Sequence, residues 1–141
     1  MQRNRRNRRH EVAGITLIEL MIVVVIVGVL GMIAIPSYRQ YLERTQRTEA
    51  KSALLLAAAN QERFYLQNDT YTLNITDLGF PENGHTENDF YTLTITTANT
   101  LTFAVQADAI TAQLSDDDCQ RFMIDAQGIR TATPDPSNSC W

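Results

Sequence analysis

Glu19 is the residue in this 141-residue chain whose type and position most clearly imply chemistry. It stands in a run from Ile15 to Ile35 in which the only other polar side chain is Thr16. A charged side chain at the centre of a membrane-spanning helix costs about 3 kcal/mol on insertion scales, so a carboxylate in such a run points to function. It needs a cation, and the run contains no Lys, Arg or His. Cutting the chain after Gly14 would create one. The new Ile15 amine would be positive at neutral pH, with a reference pKa of about 8. It would sit one helical turn from Glu19, or against the Glu19 of another subunit. At about 4 Å and an effective dielectric near 20, such a pair attracts by about 4 kcal/mol before desolvation.

Other candidate residues carry less. His10 and His85 are the only histidines, and they lie far apart in the sequence. A lone histidine cannot form a multi-ligand metal site, so His85 reads as solvated. Asp116, Asp117 and Asp118 offer carboxylates, but calcium takes about six to eight oxygens from spaced positions. The three acids therefore read as a solvated run. Asn68-Asp69-Thr70 and Asn74-Ile75-Thr76 fit the N-x-[ST] pattern, which is frequent by chance and receives no role. There is no G-x-S-x-G, no H-E-x-x-H and no phosphate-binding glycine loop. Cys119 has no histidine partner in evidence. The chain reads as a non-enzyme that needs no metal or cofactor and is itself cut by a peptidase.

The element that must position Glu19 is a helix. Twenty-one residues at about 1.5 Å rise span roughly 30 Å, the hydrocarbon thickness of a bilayer. Arg3, Arg5, Arg6, Arg8 and Arg9 precede the run and should stay cytoplasmic, placing the rest of the chain across the membrane. Residues 1–14 are a targeting segment, outside the fold. An ordinary secretory signal has a shorter apolar region and an A-x-A site, and an uncut anchor would leave Glu19 unexplained. Gly28 and Gly31 each lower helix propensity by about 1 kcal/mol relative to Ala. Pro36 removes a donor and predicts a kink.

The basic leader, Gly14 at the cut, Thr16-Leu17-Ile18-Glu19 and a Val/Ile run ending in Ala34-Ile35-Pro36-Ser37 resemble the class III signal of type IV pilins. At the C-terminus, Asp118-Cys119 and Cys140-Trp141 are similar to the disulfide-closed loop of PilE-type minor pilins. The resemblance implies a long N-terminal helix packed on an antiparallel sheet. It implies cutting by a prepilin peptidase, N-methylation of Ile15 by the same machinery, and a role for Thr16 in orienting the new terminus. Ile15 stands where most of the family has Phe. The partners implied are other pilin subunits, an inner-membrane assembly platform and the inner membrane itself. The head would be periplasmic first, then part of an extracellular pilus. Gly28 to Pro36 matches the segment that can lose helical order as pilins leave the membrane.

Beyond Pro36 the helical pattern continues in amphipathic form to about Gln67. Tyr38, Tyr41, Leu42, Thr45, Thr48, Ser52, Leu55, Leu56, Ala59 and Leu66 recur mostly at three- and four-residue steps. Arg47 falls among the charged residues of the other faces. Asn68-Asp69-Thr70-Tyr71 reads as a turn. The expected organisation is leader 1–14, membrane-spanning helix 15–35, amphipathic helix 36–68 and globular head 69–141. Within the head, 69–89 reads as a surface loop with few apolar anchors, and 90–132 as a sheet. Tyr91, Leu93 and Ile95 alternate with threonines, and Leu101, Phe103 and Val105 repeat the pattern, so a hairpin is expected. Residues 121–125 and 129–132 add a third and a short fourth strand. The class is α+β, with three to four strands under the amphipathic half-helix.

Cys119 and Cys140 are the only cysteines, and both lie on the exported side, where a disulfide is permitted. The bridge would close residues 119–140, worth about 3 kcal/mol on the chain-entropy model. Pro134 and Pro136 stiffen that loop. After the cut, seven basic residues face fifteen acidic ones, a formal charge of −8. Phosphate backbones demand clustered Lys and Arg, so nucleic acid is not an expected partner. The leading reading is a minor pilin of a filament for twitching motility and adhesion. A major pilin or a type II secretion pseudopilin shares the same N-terminus. A DNA-uptake receptor, with a local patch at Arg121 and Arg130, ranks below both.

Overall fold

The computed structural model describes residues 14–135 and 139–141. The five leader arginines, His10 and Pro136 lie outside the described residues. The chain divides into two compact units, residues 1–38 and 39–141. One helix, α1 (Leu17–Asn68), contributes to both.

In the first unit, residues 17–30 are all exposed and almost all apolar. This part of α1 is long and apolar enough to cross a membrane. A water-facing surface of this kind has a large hydrophobic cost, and lipid or other apolar helices would remove it. Pro36 lies inside α1 and does not end it. A methyl group added at Gly28 or Gly31 would meet nothing within 4 Å. Packing within the chain therefore does not demand either glycine.

In the second unit, four antiparallel strands form one sheet in the order β1 (Tyr91–Ala98), β2 (Phe103–Ala109), β3 (Arg121–Asp125), β4 (Arg130–Thr133). Ile95 faces Val105, Ala107 faces Phe122, and Phe122 faces Ala132 across the ladders. The period-two pattern places Tyr91, Leu93, Ile95, Phe103, Val105, Phe122 and Ile124 on the buried face. Ala50, Leu54 and Ala57 of α1 join the same core cluster. Two alanines and one leucine thus form the apolar part of the helix's inner face. The bridge between Cys119 and Cys140 closes the C-terminal loop, with its Cα atoms 5.7 Å apart.

Several local expectations change. The buried stripe of α1 is Arg47, Ala50, Leu54, Ala57 and Gln61. The stripe read from Tyr38, Leu55, Leu56 and Leu66 is exposed instead. Side-chain size misled the pattern, because small residues and two hydrogen-bonding residues occupy the inner face. Gln61 holds the loop backbone on both sides: its Nε2 donates to the Thr72 carbonyl at 2.7 Å, and its Oε1 accepts from the Thr72 amide at 3.0 Å. Leu101 is 86% exposed rather than a strand residue. Asn99 Oδ1 accepts from the amides of Leu101 and Thr102, turning the backbone before β2 begins. The 69–89 loop has more anchorage than expected. It contains a 3-10 turn at Ile75–Leu78, and Leu78 is fully buried.

The helix ends as its sequence suggests. Asp69 takes a left-handed conformation, φ 56°, and its amide donates to the Tyr65 carbonyl at 2.8 Å. Gly84 is also left-handed, φ 68°, and a Cβ there would lie 2.3 Å from the Leu93 carbonyl oxygen. That close approach lets the Gly84 carbonyl accept from the Leu93 amide at 2.8 Å, tying the loop to the outer edge of β1. The outer edge of β4 is partly covered in a similar way. Trp141 Nε1 donates to the Thr131 carbonyl at 2.7 Å.

Candidate functional site

At the N-terminal end of α1, Gly14, Ile15 and Thr16 are non-helical and exposed. Thr16 is the helix cap. Its Oγ1 accepts from the Glu19 amide at 3.2 Å, and its carbonyl accepts from the Leu20 amide at 3.2 Å. Thr-x-x-Glu is the sequence of a capping box, in which threonine satisfies an orphan amide of the first turn. The cap, one residue beyond Ile15, fixes the helix start at Leu17. Glu19 is exposed on the first turn and has no partner among the described residues. Ile15 and Glu19 are therefore placed a turn apart, with the carboxylate uncommitted. Gly28, Gly31 and Pro36 follow on the same helix.

In the second unit, the main feature that the sequence did not announce is a buried ion pair. Arg47 Nε donates to Asp116 Oδ2 at 2.6 Å, and its second guanidinium nitrogen donates to Oδ1 at 2.7 Å. Asp116 is 1% exposed, so the solvated acidic run is corrected at its first residue; Asp117 and Asp118 are exposed. The carboxylate also accepts from Gln113 Nε2 at 2.8 Å and from the amides of Asp118 and Cys119. Five donors converge on two oxygens, which is how a buried charge survives desolvation. The hydrogen bond to Asp116 holds the Arg47 guanidinium above its ordinary pKa, against the opposing effect of burial. Burial, and secondly the charge of Arg47, lowers the Lys51 ammonium. Burial pushes the Tyr91 phenol far up. An arginine at the i−3 position of the Ala50-Leu54-Ala57 stripe was the available signal, but its acid lies 69 positions away.

The remaining candidates are engaged locally. His85 Nδ1 lies 3.0 Å from Asp89 Oδ1, and its backbone bridges to Thr92. Arg121 is held by Asp108 on the neighbouring strand. The Arg130 guanidinium lies 5.4 Å from the centre of the Trp141 ring, which in turn meets Phe122 edge-on at 5.7 Å. Each of these two arginines thus has its own partner, a carboxylate for Arg121 and an aromatic ring for Arg130. Among the described residues no group of three or more His, Cys, Asp or Glu is arranged to hold a metal.

The model of a prokaryotic N-terminal methylation motif matches residues 9–35. A second family model, described as type IV minor pilin ComP, DNA uptake sequence receptor, matches residues 36–123. The chain belongs to this minor pilin family. Two solved structures share the pilin fold. The non-core minor pilin PilV of Neisseria meningitidis has a TM-score of 0.53 at 22% identity, covering 71% of this chain and 94% of that one. A type IV pilin from Shewanella oneidensis has a TM-score of 0.51 at 24% identity, covering 70% and 97%. A search of curated proteins gives no match. The methylation motif and the apolar helix make this a membrane-anchored minor pilin, one that is processed and assembled with other pilins. Members of the family and fold are structural subunits.

Proposed function

We propose that this minor pilin is cut after Gly14 by a prepilin peptidase, is N-methylated on Ile15, and enters a filament when Glu19 meets the Ile15 amine of a neighbouring subunit. The capped helix start carries this reading. Thr16 holds the first turn, and a cut after Gly14 would leave Ile15 one residue before the cap, with the Glu19 carboxylate exposed and unpartnered among the described residues. In apolar surroundings neither charge is tolerable alone, and pairing them offsets both desolvation costs. Before assembly the subunit sits in the bacterial inner membrane with its head periplasmic; afterwards it lies in an extracellular pilus serving twitching motility and adhesion. Gly28, Gly31 and Pro36 mark the stretch of helix that loosens during that passage.

The decisive experiment follows Glu19→Ala through both steps. Mass spectrometry of the variant should still find Ile15 at the N-terminus, while sheared filaments should lack it. Normal incorporation would sink the pairing, and a chain still beginning at Met1 would sink the processing.

A second reading, reception of DNA on the same filament, is favoured by the family match over residues 36–123. The charge of the head weighs against it: residues 39–141 carry seven basic and fourteen acidic side chains. Loss of transformation with motility retained, on deletion, would select it over the first.

A further inference from the structure

One flank of α1 and the 80–89 loop enclose a cleft of about 520 Å³, a size typical of small-molecule sites. The assembly reading makes no use of it. Its floor is apolar, made by Leu56, Phe80 and Pro81. Leu56 is 54% exposed, so this apolar surface is reachable from solvent. Glu49, Glu87 and Asp89 stand around the floor, and among the described residues no Lys or Arg lines the cleft.

Other polar side chains of the lining also accept more than they donate. Ser52 Oγ gives its one proton to the Glu49 carbonyl at 3.0 Å and keeps only lone pairs for the cleft. His85 Nδ1 lies 3.0 Å from Asp89 Oδ1, and a carboxylate can only accept. The proton of a neutral His85 ring therefore sits on Nδ1, which makes Nε2 an acceptor. Glu49 takes one hydrogen bond on each oxygen from Asn88, at 3.1 and 2.7 Å. These bonds fix the carboxylate and leave a further lone pair on each oxygen. Asn83 and Thr86 are the lining side chains that still carry a hydrogen to give. A lining so rich in acceptors calls for a donor-rich ligand, and the apolar floor calls for a hydrocarbon stem. An ammonium on a methylene chain supplies both, with three donors and no acceptor. Three carboxylates without a cation beside them exceed what one ammonium neutralises, so the match is to a stem that bears more than one.

We propose that the cleft binds a free linear polyamine, its methylene chain on Leu56, Phe80 and Pro81 and its ammonium groups among Glu49, Glu87 and Asp89. Each ammonium gains a carboxylate, and each methylene on the floor leaves water. An inorganic cation offers only the first contribution and an uncharged diol only the second. The site belongs to the head alone and goes beyond the reading of how the subunit is cut and assembled.

The test is methyl NMR of the full chain in phosphatidylcholine nanodiscs, titrated with spermidine. The methyls of Ala53 and Leu56, which line the cleft, should shift saturably, while those of Ala50 and Leu54, fully buried in the core, stay in place. Hexanediol, or sodium chloride at matched ionic strength, should not reproduce the shifts. Glu87→Gln and Leu56→Ala, both at exposed positions, should each weaken binding about five-fold. Asp117→Asn removes the same charge outside the cleft and should leave the affinity unchanged. Shifts that do not saturate, or that hexanediol or salt also produces, overturn the proposal. So does an effect of Asp117→Asn equal to that of Glu87→Gln, which would mark diffuse attraction to an acidic head. Equal affinity for Nα-acetyl-lysine amide also overturns it, because the cleft would then be reading a protein side chain.

Discussion

Arg47 and Asp116 are 69 residues apart in sequence and meet in a two-pronged ion pair, 2.6 and 2.7 Å, inside the head. The pair joins the amphipathic part of α1 to the start of the disulfide loop. Asp116 also accepts from the amides of Asp118 and Cys119, so one carboxylate sets both the helix side chain and the loop backbone. Removing Arg47 leaves a buried, uncompensated charge. Arg47→Leu should destabilise the head by about 3–5 kcal/mol. Denaturant titration should show a lower midpoint with little change in slope. An unchanged midpoint would mean that water reaches Asp116 freely.

The disulfide and the ion pair act on the same loop by different means. Replacing Cys119 and Cys140 with Ala should cost about 3 kcal/mol, because the unfolded chain regains loop freedom. The amides of Asp118 and Cys119 should nevertheless keep slow hydrogen exchange, since Asp116 still holds them. Loss of protection at both amides in the Ala variant would show that the bridge, not the carboxylate, orders this corner.

Tyr91 predicts an alkaline dependence. It is fully buried, its hydroxyl has no hydrogen-bond partner among the described residues, and its phenol is pushed up by burial. The unfolded phenol ionises near pH 10 while the folded one keeps its proton, so the unfolded state binds fewer protons above that pH. Stability is full below about pH 10 and falls as pH rises beyond it, by up to about 1.4 kcal/mol per unit for this group. Lys51, whose folded value is lowered, acts in the opposite direction just below about pH 10.4. Tyr91→Phe should flatten the alkaline fall and cost little at pH 7, because no hydrogen bond is lost. Denaturant midpoints between pH 8 and 11 would reveal an unchanged slope if another group dominates.

Gly84 predicts a steric failure. Gly84→Ala would place a methyl group 2.3 Å from the Leu93 carbonyl oxygen, at a backbone φ of 68°. The loop must detach from β1, at a cost of about 2 kcal/mol or more. Exchange at the Leu93 amide should accelerate before the rest of the sheet changes. A protected Leu93 amide in the variant would show that the loop shifts without letting go.

Thr16 separates capping from pairing at the assembly end. Thr16→Ala removes the bond to the Glu19 amide and should fray the first turn by about 1 kcal/mol. Cleavage should persist while incorporation into filaments falls, and Thr16→Ser should restore it. Equal incorporation by the Ala and Ser variants would leave the cap without a part in assembly.

The anchor was legible because it obeys a one-dimensional rule. Length, an apolar run and a lone acid can be counted without knowing what touches what, and Ile15, Thr16 and Glu19 are local enough to be read together. The strands were legible for a similar reason, since period two shows wherever one face is buried. The buried face of α1 was not, because Ala50, Leu54 and Ala57 carry less apolar bulk than Tyr38, Leu55 and Leu66. Which stripe faces inward depends on what the sheet and loops bring against it, and no helical count contains those partners. Asp116 shows the same division most plainly. As a residue between Ser115 and Asp117 it looks solvated, and only when the chain returns Arg47, Gln113 and two amides to it does burial become cheaper than exposure. Sequence alone determined the elements and the apolar N-terminal run with its lone acid; tertiary structure decided which polar groups could leave water, since that requires donors from distant positions to converge on one point.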